Sequence, residues 1–312
     1  MTTAFVLSGG GSLGAVQVGM LQALSARGVR PDLLVGTSAG ALNAAFVAGH
    51  GADPNALSRL EDVWTRLRRR DGFPFHPVRL SAAALRRVPS LCPCGPLRRL
   101  VQAHLTFDRL EDAPTPLHVV ATDVRSGREV LLSEGRALDA VVASASVPAI
   151  LPPVRIGDRD LIDGGVADNA AVSQAVELGA DVVWVLPTGY ACALERPPTT
   201  PLAAALHALT LLIEQRLVVD VAHLAGKVDV RVLPPLCPLS VSSADFRHGA
   251  RLVAAARAST GRWLDRDHSG DAHPERILSL HSHGGPHEGG QAESEGRSSA
   301  ARSQSAEVAA AS

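Results

Sequence analysis

The chain has 312 residues, of which 46% are hydrophobic and 20% charged, and its formal net charge is -1. That length allows one large core or a domain with appendages, and so even a charge balance gives no global field to recruit nucleic acid or acidic substrates. Aromatics make up only 3% of residues, so the core must be assembled mainly from Ala, Leu and Val.

Residues 3–8 read as a buried strand, followed by Gly9, Gly10, Gly11 and Gly14 and a helix from about Ser12 to Ala26. The spacing Gly9-x-Gly11-x-x-Gly14 fits a dinucleotide fingerprint, and a glycine loop opening a helix suits any anion. A second strand, "DLLVGTS", leads into small-residue helix material, "AGALNAAFVAG". This β-loop-α-β-α beginning predicts a parallel sheet with helices packed on its faces. "LHVVATDV" and "REVLLSE" then read as strands joined by an "RSG" turn, and "ALDAVVASAS" as a helix. "ELGADVVWVLP" is a helix end and a buried strand. A long helix over 201–225, a strand at "VDVRVLP" and a last helix over 244–264 complete the pattern, which ends near residue 265.

Two regions differ. Between Arg66 and Arg99 lie nine arginines and one acid, Asp71, with Trp64, Phe73 and Phe75 close by. This is expected to be a variable insert or lid, either a solvated arginine-rich surface or one that lays stems and rings on an anionic membrane. From about Arg266 to residue 312 the chain turns to His, Gly, Ser and Glu, the composition of a disordered tail, and its five histidines read as solvated. The N-terminus lacks a basic n-region and "AFVL" is too short for an h-region, so no signal peptide is expected. The longest apolar stretch, "LAAALHALTLLI", is about twelve residues, short of the roughly 20 that span a bilayer. A cytoplasmic protein, at most peripheral to the membrane, is expected. Cys92, Cys94, Cys192 and Cys237 show no zinc-finger spacing and read as reduced thiols, with no metal.

The second strand ends in "GTSAG", Gly36-Thr37-Ser38-Ala39-Gly40, a G-x-S-x-G sequence between strand and helix. A nucleophilic serine on such a turn is lifted clear of the sheet, and its neighbours two residues away must be small. The helix that follows points its partly positive N-terminus at the serine. A dinucleotide site instead needs an acid at the carboxyl end of the second strand, and Asp32 precedes that strand. The glycine loop is therefore better read as an oxyanion hole, built from backbone N–H groups of Gly9, Gly10, Gly11, Ser12 and Gly14. For the base, His118, His207, His223 and His248 all lack a signature context. An α/β-hydrolase elbow also has several strands before it, where this chain has one βα unit. Asp163, before Gly164 and Gly165 in "LIDGGVADN", is the better partner, although alone it would read as a hairpin turn. Asp168 competes but reads as a helix N-cap.

Taken in order, "GGGSLG", "GTSAG", "ASASVPAILPPV" and "DGG" closely resemble the patatin-like phospholipase family over roughly residues 3–265. The resemblance implies a three-layer α/β/α fold with a mostly parallel sheet and a Ser–Asp dyad without histidine. It makes Ser38 the nucleophile, Asp163 the general base, Gly9 to Gly14 the oxyanion loop, and the lipid ester the substrate, cleaved through an acyl-enzyme. No metal or other cofactor is implied, so hydrolysis should be independent of calcium. One departure stands out: Leu13 occupies a position where the family often places Arg or Lys. A catalytically weak lipid-binding or regulatory module on the same fold is the alternative reading.

Overall fold

Along the first strand, side chains alternate between two cores. Phe5 and Leu7 join one buried cluster, while Ala4 and Val6 join the other. A strand covered on both faces is the condition for a parallel sheet, and it explains the unbroken apolar runs. The computed structural model describes residues 1–72, 90–188, 197, 199, 201–237, 239, 241–266 and 273–278, with side chains only in part along 201–214.

In chain order the elements are β1 (Thr3–Leu7), α1 (Gly14–Ser25), β2 (Leu33–Thr37), α2 (Ala39–His50), α3 (Pro54–Arg66) and a single helical turn α4 (Arg69–Gly72). Next come α5 (Gly95–Gln102), β3 (Leu117–Asp123), β4 (Glu129–Leu132), α6 (Ala137–Ser144), β5 (Val154–Ile156) and β6 (Arg159–Asp163). The chain continues with α7 (Val172–Glu177), β7 (Val182–Leu186), α8 (Pro201–Leu224), β8 (Asp229–Val232) and α9 (Gly249–Leu264). The strands form one sheet in the order β5-β6-β3-β2-β1-β7-β8, with β4 also paired to β3. Pairs among β3, β2, β1, β7 and β8 are parallel, and those of β3 with β4 and β6, and of β5 with β6, are antiparallel. Residues of α1, α2, α3, α5, α6 and α9 share the core of Phe5 and Leu7, and those of α7 and α8 share the core of Ala4 and Val6. The result is the α/β fold with a mostly parallel central sheet between helices.

Several expectations change. Trp64 is not an interfacial ring: it is 5% exposed, and its indole N–H donates to Asn43 Oδ1 at 2.7 Å. The arginine-rich stretch starts at the close of α3 and ends in α5, whose Leu97 and Val101 enter the core. Phe73, Phe75 and the arginines between them and residue 89 lie outside the described residues. Packed structure also runs past residue 265. The turn Pro274–Leu278 lays Ile277 and Leu278 against the second core, within a compact unit spanning Met1–His281. The expected tail beyond it, residues 282–312, lies outside the described residues. Finally, Asp168 caps no helix. α7 begins at Val172 after Ala171, and the Asp168 carboxylate instead accepts from the Ala170 N–H at 3.0 Å. Burial pushes its pKa up to about 6, and burial with the nearby Asp168 charge pushes Glu129 up to about 7. Arg216, at 3.7 Å from Asp168, opposes this from a half-exposed position.

Candidate active site

Strand β3 is the template on which the site is set. Its Val120 pairs with Thr37, the residue before Ser38, and its Ala121 pairs with Asp163. Two consecutive residues of one strand thus fix the spacing between the end of β2 and the end of β6. This is how residues 125 positions apart meet: Ser38 Oγ donates to Asp163 Oδ2 at 2.7 Å.

Ser38 occupies a φ of 53° with ψ of -119°, a conformation that costs a non-glycine residue about 1–3 kcal/mol and survives only where the surroundings impose it. They do so here. Its N–H donates to Ser144 Oγ at 2.8 Å, and its carbonyl accepts from the Ala41 N–H at 3.0 Å. The flanking glycines are steric requirements. A Cβ on Gly36 would stand 2.7 Å from Ala41 Cα, and one on Gly40 would enter the Leu7 carbonyl. Helix α2 starts at Ala39, so the serine lies at the positive end of its dipole.

Asp163 is held as firmly. Its N–H donates to the Ser146 carbonyl at 3.0 Å, its carbonyl accepts from Thr122 Oγ1 at 2.9 Å, and its Oδ1 accepts from the Gly165 N–H at 2.9 Å. Burial pushes its pKa up to about 6, against the opposing pull of the hydrogen bonds from Ser38 and Gly165. The site therefore contains a hydroxyl in contact with a carboxyl poised to change charge near neutrality. Among the described side chains no imidazole bonds to either group. His118 meets Ser133, His223 meets Lys227, and His248 lies against Asp245.

The glycine loop after β1 crosses in front of this pair. Its amides divide into two sets. The Gly9 N–H is consumed by Asn169, donating to both its Oδ1 (3.0 Å) and its carbonyl (3.2 Å). The Ser12 N–H goes to Ser243, and that of Gly14 to Gly11 and Ser12 carbonyls. That leaves the N–H groups of Gly10 and Gly11 without a partner among the described residues. The expected five-residue donor set narrows to these two, because helix initiation and the Asn169 clamp occupy the others. Leu13 is 1% exposed within the first core, so a cation at this position would enter the apolar interior of this protein. Asp32, set aside as a ribose ligand, is tied to Thr3 at the opposite end of the strands.

Sequence reasoning missed Asn169, whose Nδ2 also donates to the Gly9 carbonyl at 3.3 Å. It also missed Ser144 and Ser146. Both lie in the quoted "ASASVPAILPPV" segment, but nothing local shows that one serves Ser38 and the other Asp163. A third buried set, Gln17, Asn43 and Trp64, carries the carbonyls of Ser8 and Gly14 on side-chain amides at 2.8 and 2.9 Å.

Ser38 opens on a cavity whose walls include Leu42, Phe46, Trp64, Leu97 and Val101. Its lining is apolar, the chemistry that suits an acyl chain.

The family model for patatin-like phospholipases matches residues 5–176. The chain belongs to the patatin-like phospholipase family, a family of lipid carboxylic ester hydrolases. An uncharacterized NTE family protein of Mycobacterium tuberculosis is 32% identical over 165 residues, covering 53% of this chain and 26% of that protein. A lysophospholipase of Pyricularia oryzae is 27% identical over 191 residues, covering 59% of this chain and 12% of its own length. The chain thus spans 26% of the first relative and 12% of the second. Among solved structures, human GIVD cytosolic phospholipase A2 in complex with methyl gamma-linolenyl fluorophosphonate aligns with a TM-score of 0.44 at 13% identity, over 89% of this chain and 59% of that one. VipD from Legionella pneumophila also gives 0.44, at 15% identity, over 85% and 66%. Among the described residues no helix is long and apolar enough to cross a membrane, and no group of three or more His, Cys, Asp or Glu is placed to hold a metal ion.

Proposed function

We propose that this member hydrolyses lipid acyl esters with Ser38 as nucleophile and Asp163 as general base. The observation that carries the reading is the 2.7 Å hydrogen bond from Ser38 Oγ to Asp163 Oδ2 at the mouth of an apolar cavity. Ser38 Oγ attacks the ester carbonyl as its proton passes to Asp163, and the carbonyl oxygen becomes an oxyanion facing the Gly10 and Gly11 amides. Collapse expels the alcohol or lysolipid, which takes the proton back from Asp163. Water, deprotonated by the same carboxylate, then releases the fatty acid and restores Ser38. Each step uses groups of this chain alone.

The test is covalent labelling. Wild-type protein incubated with a fluorophosphonate should gain one adduct by intact mass, and Ser38→Ala should gain none. A folded wild type that stays unlabelled would overturn the reading in favour of a lipid-binding module on the same fold.

The exposed arginines Arg69 and Arg70 motivate a peripheral role at an anionic membrane. Two basic residues near such a surface contribute about 2 kcal/mol, so replacing both with Gln should weaken binding to phosphatidylserine vesicles by roughly 30-fold. Unchanged co-sedimentation would remove the membrane from the account.

A further inference from the structure

Resting on the acyl-hydrolase reading, the chemistry of the cavity's far end bears on which acyl chains it takes. Phe46, Val63, Leu67, Leu100 and His104 line the cavity at Ser38 and also line a second cavity. The two therefore share a wall rather than ending apart. The second cavity adds Ala103, His50, Arg59, Asp62, Arg66 and Asp71, of which Arg59, Asp62 and Arg66 are exposed, so it lies at the surface.

Helix α2 serves as a ruler along this path. Ser38, Leu42, Phe46 and His50 recur every fourth residue on one face, and twelve residues of α-helix rise about 18 Å. An extended acyl chain advances roughly 1.3 Å per carbon–carbon bond, so about fourteen carbons cover the distance. The surroundings change over that length. Leu42 and Phe46 are apolar. At Phe46 the His50 ring lies at 4.3 Å between centroids and that of His104 at 6.2 Å. His50 Nε2 is 3.2 Å from the His104 carbonyl, so polar groups begin here. Beyond them Arg66 pairs with Asp62 at 3.5 Å on the exposed face of α3.

We propose that the two cavities form one acyl channel with a hydrated, polar far end, so that the protein accepts long-chain acyl esters bearing an anionic group at the ω carbon. A carboxylate on a chain of about fourteen carbons or more reaches the exposed, hydrated end, where His50, Arg59 and Arg66 stand with Asp62 and Asp71. On a chain of ten carbons it stops beside Phe46, short of the exposed cavity, where only the rings of His50 and His104 stand near and its desolvation is not made good.

The experiment compares 4-nitrophenyl esters of decanoic and hexadecanoic acid with the corresponding 4-nitrophenyl monoesters of decanedioic and hexadecanedioic acid, using the full chain. The ω-carboxyl group should lower kcat/KM by about 100-fold or more at ten carbons, the penalty of a stranded charge, and by less than about tenfold at sixteen. A loss of about 100-fold at both lengths would mean a closed pocket, and equal small losses at both would mean that the chain does not lie in an apolar channel. Either result overturns the channel. If neither plain ester is turned over, the acyl-hydrolase reading itself has failed.

Discussion

Asp163→Asn is expected to lower kcat/KM by about 10⁴-fold and to raise the Tm by about 5 °C at pH 8. The two effects have one cause. The carboxyl group is buried, and its pKa is pushed up to about 6 from an ordinary value of 3.8. The folded protein therefore binds this proton more tightly than the unfolded chain does. Stability from this group is fully present below about pH 4 and is lost as pH rises through 6. Above that, holding the carboxylate in the buried site costs about 3 kcal/mol. A neutral amide of the same shape removes that cost and removes the base with it. The Tm gain should shrink as pH falls and vanish below about pH 3, where Asp163 is protonated in both states. Comparing the two proteins at each pH also cancels the contributions of Glu129 and Asp168, which titrate in the same range. In the wild type, kcat/KM should fall tenfold per pH unit below about 6 as the base is protonated. A carboxylate that merely held the fold together would lose stability on substitution, and a lower Tm at pH 8 would contradict the assignment.

The parts of the site that were legible in the sequence are those that a single turn can encode. Gly36 and Gly40 are small because backbone lies within contact of any Cβ there, and that need is written at fixed offsets from Ser38. The Asp163-Gly164-Gly165 turn is similar: Gly165 supplies the N–H that its neighbour's carboxylate accepts. The strand-loop-helix order placed both at the ends of strands. The sequence left open which strand bridges them, and β3 does so only through registers that no local pattern states.

What escaped notice depends on partners far along the chain. Asn169 acts on Gly9 and Ser144 acts on Ser38, with separations of 160 and 106 residues. Two helices were missed for a different reason. The start of α3 carries a complete signal, Asp53 accepting from the N–H groups of Asn55 and Ala56 with Pro54 in the first turn. Its buried face, Ala56, Leu57, Leu60 and Trp64, has helical spacing. Charge density on the opposite face drew attention to the arginines instead. In α5, Leu97 and Val101 are the only fully buried positions among eight, too short a stripe to separate from its basic surroundings.

Asn169→Ala should lower kcat by about 100-fold with little change in KM, since misplacing a catalytic group by about 1 Å costs that much without weakening substrate binding. The side chain grips Gly9 at both its N–H and its carbonyl. Gly9 in turn abuts the nucleophile, where an added Cβ would lie 2.9 Å from Ser38 Cβ. Removing the grip lets the Gly10 and Gly11 amides drift from the oxyanion while the dyad keeps its own hydrogen bonds. The loss stops short of abolition because Thr188 Oγ1 still donates to the Gly9 carbonyl and the Asn169 main chain still accepts from its N–H. Asn169→Asp separates placement from charge. It keeps an acceptor for the Gly9 N–H but sets a second carboxylate beside the Gly165 turn that holds Asp163, and a like charge disfavours the ionised base. The acid limb of the pH–rate profile should then move upward from 6 in Asn169→Asp and stay in place in Asn169→Ala. Wild-type kcat in the alanine variant would free the oxyanion loop from Asn169. An unmoved limb in the aspartate variant would mean that the two loops are electrostatically independent.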